Sequence, residues 1–357
     1  TVNATKEKLL RLIRAQGPIS IAHYMAIALT DPESGYYMGH DPLGRDFITA
    51  PEVSQIFGEL IGLFFVQAWE DRGQPGRFHL VELGPGRGTL MMDLLRAAKV
   101  RPGFGAAAEI VLIEASPVLR DVQAKTLAGI ETIWAQDLRE VPDDAPLFLI
   151  ANEFFDALPI HQFVRRGGRW QERMVDAEGE ELIFVTAPDP VAESLMPVHI
   201  RDAAEGSTFE TSPATQALVQ EIGRRVAQSG GVALIIDYGH TSSELGDTFQ
   251  AVKAHAYANP LAEPGEADLT AHVDFDALCA ATRAADGHVL GPVSQKSFLD
   301  SLGIGLRAQR LKRVAPGESG AIDATVDRLT NPRQMGTLFK VLAISDGHPR
   351  ELPGFSC

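Results

Sequence analysis

Two cysteines in 357 residues, Cys279 and Cys357, are too few for a disulfide scaffold or a cysteine-rich metal site. No uninterrupted apolar run reaches the roughly 18 residues that mark a membrane-spanning helix, so stable membrane insertion is not expected. Basic charge is also scarce. The 32 Lys and Arg against 47 Asp and Glu leave a formal net charge of -15, which argues against a broad phosphate-binding surface and against nucleic acid as a partner. The same acidity suits a cationic cofactor or a basic protein substrate, and it serves solubility equally well. The opening residues, TVNATKEK, lack a basic stretch followed by an apolar one, so no secretory signal is read there. With so little cysteine, these absences predict a soluble chain in a reducing, cytoplasmic location. What is present is ordinary for a folded protein: hydrophobic residues at 45% and charged residues at 22% exclude a disordered chain.

The pattern along the chain predicts an α/β fold. Apolar residues at helical spacing over 6–15, stopping before Gly17 and Pro18, and again from Ser20 through Tyr24, Met25 and Ile27, predict two N-terminal helices. The stretches 34–39 and 44–52 hold too many turn formers and aromatics for a regular helix and read as an ordered surface loop or as a cover over a pocket. Residues 53–69 predict a long helix packed on a sheet. Short apolar runs at 78–83, 109–114, 132–135 and 147–151, interleaved with helical patterns at 89–98 and 117–127, read as strands of a largely parallel sheet. Gly167 and Gly168 between the runs 160–166 and 170–175 signal a hairpin. Residues 187–197 read as a loop, Pro213 opens a helix toward 227, and 232–237 is the strongest later strand. The region through 270 is less regular, 275–284 is helical, and 338–344 is a last strand. The resulting division is a helical N-terminal cover over 1–70 and a core over 71–357, with insertions near 160–212 and 240–272.

Chemistry enters at Glu82-Leu83-Gly84-Pro85-Gly86-Arg87-Gly88, where the strand 78–83 runs into the helix 89–98. Glycines at such a turn let backbone approach a bulky cofactor without Cβ collisions, and the spacing is GxGxG rather than the dinucleotide GxGxxG. Glu114 lies 26 residues beyond Gly88 at the end of the next strand, placed to accept hydrogen bonds from ribose hydroxyls. Alone it reads equally as a surface or capping carboxylate. The turn and the strand-end acid in this order favour S-adenosylmethionine, whose methyl group on a cationic sulfur needs alignment with a nucleophile rather than a metal. Asp137, just past the strand 132–135, is within reach of an adenine amino group or belongs to an ordinary loop. His240, His255, Asp237 and Asp268 have irregular spacing that defines no metal site.

The segments GYYM, ITAPEVSQIFGE, ELGPGRGTLMMDLLRA, ANEFFDALPI, IIDYG, DLTAHVDF and GTLFKVLAI run through nearly the whole chain. On these motifs, of which ELGPGRG and NEFFDALP together are highly specific, the chain resembles the MidA-like, complex I assembly-factor type of class I methyltransferase. The resemblance implies a Rossmann-like seven-stranded methyltransferase sheet with helical N-terminal additions and a peripheral β insertion. It implies S-adenosylmethionine as cofactor and a protein substrate whose arginine is methylated, a respiratory complex I subunit in the mitochondrial members. Motif by motif, it places Gly84, Gly86 and Gly88 at the cofactor turn with Glu82, Glu114 at the ribose, Asp137 near adenine, and Asn152 beyond the fourth strand with Glu153 and Asp156.

Glu153 and Asp156 are the candidate catalytic residues. Three positions apart, they share a face if Asn152 opens a helical turn, and two carboxylates can orient a guanidinium through directional charged hydrogen bonds. They can equally cap a helix or face solvent. Two other functions stay open on the residues alone: a non-methylating, cofactor-bound assembly protein and a nicotinamide-dependent oxidoreductase.

Overall fold

Strands form where the sequence runs apolar without helical spacing, and β1, Phe78–Leu83, is buried at all six positions. The computed structural model describes residues 3–39 and 49–355. β2 (Ala108–Ile113), β3 (Thr132–Ala135), β4 (Leu147–Asn152), β5 (Gly231–His240), β6 (His288–Ser294) and β7 (Phe339–Ser345) join β1 in the order β3-β2-β1-β4-β5-β7-β6. β1 to β5 are parallel, with Leu80 between Ile110 and Phe148 and with Leu234 beside Ile150. β7 runs antiparallel to β5, Ile235 opposite Leu342, and antiparallel to β6, Val289 opposite Ile344. Parallel neighbours cannot be joined by tight turns, which is why helical patterns separate the first four strands in the sequence.

The helix Gln55–Asp71 begins at Ser54, whose hydroxyl accepts the Ile56 N–H, and it buries Phe57, Phe64, Phe65 and Trp69. Phe78 packs against Phe148 at 4.7 Å and Phe104 at 5.0 Å between ring centres. Fully burying one such side chain contributes about 1.5–3 kcal/mol, so this cluster anchors β1 and β4, the strands that end at the site.

The chain folds into two compact units. One holds these seven strands and comprises 48–154, 218–241 and 278–357. The other comprises 1–47, 155–217 and 242–277. Its helices Ala4–Gln16 and Ile21–Thr30 are capped by Asn3 and Ser20. Its larger sheet pairs Arg169–Glu178 with His161–Arg166 as the expected hairpin, and adds Ile19–Ser20, Glu181–Pro190 and Thr208–Thr211. Leu9, Ile13, Tyr24, Met25, Val175 and Leu182 share one core in this unit.

The structure departs from the sequence reading at several points. Residues 187–190 continue a strand instead of starting a loop: after a register shift beyond Thr186, Pro190 pairs with Gln171. The irregular region before 270 contains a three-stranded sheet of Gln250–Lys253, Ala256–Ala258 and Asp268–Thr270, strands too short to show an alternation. β6 and the helices Gln295–Ser301, Ile304–Val314 and Ser319–Thr330 occupy a span to which the pattern assigned nothing. The helix Gln55–Asp71, placed by sequence in the N-terminal cover, packs into the core of the seven-stranded unit. Of the expected loop cover, 40–48 lie outside the described residues.

Candidate cofactor and active site

The chain leaves β1 toward β2 on one side and comes back through β4 on the other, so the sheet order reverses between β1 and β4. Open α/β sheets place ligands at such a reversal, beyond the carboxyl ends of the strands. Here β1 delivers the glycine turn. Gly84, Gly86 and Gly88 have φ of 59°, 52° and 80°, the left-handed region, and a Cβ on Gly84 would stand 2.7 Å from the Phe154 ring. The Gly88 N–H donates to the Pro85 carbonyl at 2.7 Å, and the Gly88 carbonyl accepts the Met92 N–H, so the turn passes directly into the helix Thr89–Ala98.

Glu82 is 3% exposed, and burial pushes its carboxyl well above the usual range, opposed in part by a hydrogen bond from the Met91 N–H. Its Oε2 has no hydrogen-bond partner among the described residues. At the end of β4, Asn152 is 8% exposed and its Oδ1 also lacks a partner there. Two buried acceptors on adjacent strands, beside a turn without side chains, suit a cationic molecule that carries N–H donors. The residues present therefore fit S-adenosylmethionine, with its sulfonium and ammonium groups.

Glu114 follows β2 and is 8% exposed. Its Oε1 accepts the Ser116 N–H at 2.8 Å and its Oε2 accepts the Gln123 amide at 3.1 Å. Burial raises its pKa, and these hydrogen bonds lower it in part. Asp137 is different. It caps the short helix Leu138–Glu140 and forms a two-pronged ion pair with Arg139, 2.8 Å on each oxygen, which lowers its pKa to about 2.

Asn152 ends a strand and opens no α-helix. Glu153 has φ 51° and is followed by the 3-10 turn Phe155–Ala157, so the expected helical turn that would put Glu153 and Asp156 on one face is not formed. Glu153 Oε1 accepts the Ala50 N–H at 2.9 Å and the Asn152 amide at 3.3 Å. The Phe154 N–H donates to the fully buried Asp237, which also accepts the Tyr238 N–H. Asp237 thus shapes the loop after β4 instead of ligating a metal, and among the described residues no cluster suited to a metal ion occurs. Asp156 belongs to the other unit, 6% exposed, its carbonyl accepting the Ala271 N–H. There Tyr37 donates to Asp268 at 2.5 Å, and the charges of Asp268 and Asp156 reinforce burial in raising the Tyr37 pKa.

Several residues escaped the sequence reading. Glu52 accepts the Thr89 hydroxyl at 2.6 Å and lies 3.7 Å from Arg87, fastening the APE segment to the start of the cofactor helix. Gln123 and Trp134 are joined to the site through the hydrogen bonds of Gln123. No sequence signal marked Gln123; in the fold the helix Pro117–Thr126 buries Leu119 and Gln123, four positions apart, so its thin inner face includes an amide.

With this geometry in view, the comparisons are direct. Residues 60–293 match a family described as putative S-adenosyl-L-methionine-dependent methyltransferase. The chain is 39% identical to the protein arginine methyltransferase NDUFAF7 homolog, mitochondrial, of Drosophila melanogaster, over 96% of this chain and 84% of that protein. It is 38% identical to protein arginine methyltransferase NDUFAF7, mitochondrial, of Homo sapiens, over 94% of this chain and 82% of that protein. A crystal structure from Burkholderia thailandensis, bound to S-adenosyl-homocysteine, superposes with a TM-score of 0.88 at 28% identity, covering 99% of this chain and 94% of that one.

The chain belongs to this family of S-adenosylmethionine-dependent methyltransferases. The expected fold and cofactor stand, and the nicotinamide and non-methylating readings give way. One expectation is corrected: the cytoplasmic location read from composition conflicts with these relatives, which are named as mitochondrial. Cysteine content reports a reducing compartment and cannot separate one such compartment from another. No helix among the described residues is long and apolar enough to cross a membrane.

Proposed function

We propose that the chain methylates an arginine guanidinium of a protein substrate. The observation that carries this reading is 38–39% identity, over nearly the whole chain, to proteins named protein arginine methyltransferases. A respiratory complex I subunit is the target implied by the resemblance of the motifs.

In this reading Gly84, Gly86 and Gly88 admit the cofactor, Glu82 and Asn152 supply acceptors for its cationic end, Glu114 takes the ribose hydroxyls and Asp137 the adenine amino group. Bound there, S-adenosylmethionine supplies an electrophilic methyl group. Glu153 orients the guanidinium, which is protonated and delocalised at rest. Glu153 would stabilise the positive charge of the guanidinium and accept the proton that its nitrogen releases on methylation. The hold of Ala50 and Asn152 on Glu153 lowers its reorganisation cost.

The test is transfer of a labelled methyl group to protein extract, with mass spectrometry of the modified residue. Methylarginine is the expected product, and methyllysine or a small-molecule product overturns the substrate class. Glu153→Gln should cut single-turnover transfer by about 100-fold, the scale of lost alignment, with a smaller change in cofactor affinity. Normal arginine methylation by the folded variant would remove Glu153 from the active site.

A further inference from the structure

Gln123 is fully buried in the helix Pro117–Thr126. Its amide nitrogen donates to the Gly86 carbonyl at 2.7 Å and to Glu114 Oε2 at 3.1 Å. Its amide oxygen accepts the Trp134 indole N–H at 2.9 Å. The partners dictate which end is which, since two oxygens face the nitrogen and an N–H faces the oxygen. Gly88 closes against the same side chain, where a Cβ would lie 3.6 Å from Gln123 Cγ.

The geometry has a consequence for the cofactor. The two N–H bonds of one planar amide diverge at a fixed angle, so the Gly86 carbonyl and the Glu114 carboxylate are held at a set separation. Trp134 keeps that amide from rotating. Ser116 and Gln123 donate one to each oxygen and so fix the carboxylate plane that faces the ligand hydroxyls.

We propose that Gln123 is a positioning residue that couples the glycine turn to the ribose-binding carboxylate, so that cofactor affinity depends on its amide through the ribose hydroxyls. This rests on the reading of Glu114 as the ribose acceptor. A buried amide that merely completes the packing of its helix would lack any dependence on the hydroxyls.

Calorimetric titration of the full chain with S-adenosylhomocysteine and with its 2′-deoxy analogue separates these roles. Gln123→Met keeps the volume and removes the amide. It should weaken S-adenosylhomocysteine about tenfold and the deoxy analogue only about two- to threefold, with kcat at saturating cofactor little changed. Trp134→Phe frees the amide oxygen and should show the same pattern at smaller size, and it carries the comparison if Gln123→Met does not fold. Equal losses for the two ligands, or unchanged dissociation constants, overturn the proposal. Glu114→Ala should bind the two ligands alike. If it keeps the wild-type preference for the intact ribose, the assignment of Glu114 fails, which is a separate result from failure at Gln123.

Discussion

Glu114 and Asp137 stand just past the ends of neighbouring parallel strands, β2 and β3, and the fold treats them in opposite ways. Burial raises the Glu114 pKa, and the N–H donors on its oxygens and the nearby charge of Arg120 lower it only in part. The Asp137 side chain is 43% exposed and clasped by Arg139, so its pKa falls. A carboxylate satisfied by a neighbouring cation has little charge left for a neutral ligand. One whose oxygens accept neutral N–H donors, with its nearest cation Arg120 on the Glu114 carbonyl, keeps more of its accepting capacity for hydroxyls. In the proposed site the larger share of cofactor affinity therefore falls to the end of β2.

The most damaging way to break that arrangement is at the turn to which Gln123 ties Glu114. Gly86→Val puts a β-branched residue at φ 52°, a conformation that costs roughly 1–3 kcal/mol, and pushes a side chain toward the cofactor path. Methyl transfer should fall by about 100-fold or more. Calorimetry with circular dichroism checks this, and near-normal affinity in a folded variant would move the cofactor away from the turn.

Next in size is Glu114→Ala. Losing a charged acceptor for hydroxyls should cost roughly 1.5–3 kcal/mol of binding, or about 10- to 150-fold in affinity for S-adenosylhomocysteine. The identity of the methylated residue should not change. An unchanged dissociation constant would take Glu114 out of contact with the cofactor and erase the contrast with Asp137.

Much of this contrast was legible in the sequence, and the illegible part has physical causes. Glu82, the glycines and Glu114 are set by strand ends and turns, which local patterning reveals. Asp137 could be placed by the same logic, but its pairing with Arg139 is a matter of side-chain direction that spacing does not report. Glu153 and Asp156 share a face only if Asn152 opens a helical turn, whereas strand pairing carries Asn152 to the end of β4 and a left-handed residue follows. Gln123 drew no reading from the sequence, and only the fold brings Gly86, Glu114 and Trp134 around it. The second unit was the least legible, because its sheets pair segments far apart in sequence, Ile19 with Val175 and His161 with Thr211.

Asp137→Ala sharpens the comparison from the weaker side. It should lower S-adenosylhomocysteine affinity by only a few-fold, well under the change at Glu114, and the loss should vanish with an analogue whose adenine amino group is replaced by oxygen. A loss as large as that of Glu114→Ala would show that Arg139 leaves Asp137 as available as its neighbour.

The smallest effect is one of pH, and its sign differs between the two acids. Asp137, lowered to about 2, contributes stability that is present above its unfolded value near 4 and lost as pH falls from there toward 2. Glu114 is raised, so the folded protein holds its proton at pH values where the unfolded chain has released it, and its stabilising share is lost as pH rises through the folded value. Accepting ribose hydroxyls through both oxygens requires the carboxylate, so cofactor affinity should decline as pH is lowered through the folded value. Glu82, whose pKa burial raises well above the usual range, shifts in the same sense, and in the proposed site its protonation would weaken the hold on the cationic end of the cofactor. The discriminating comparison is therefore of slopes: Glu114→Gln should bind S-adenosylhomocysteine with a shallower pH dependence than wild type, while Asp137→Asn should keep the wild-type slope. A Glu114→Gln slope equal to wild type would leave Glu82 as the titrating group and remove the ionised Glu114 from the ribose contact.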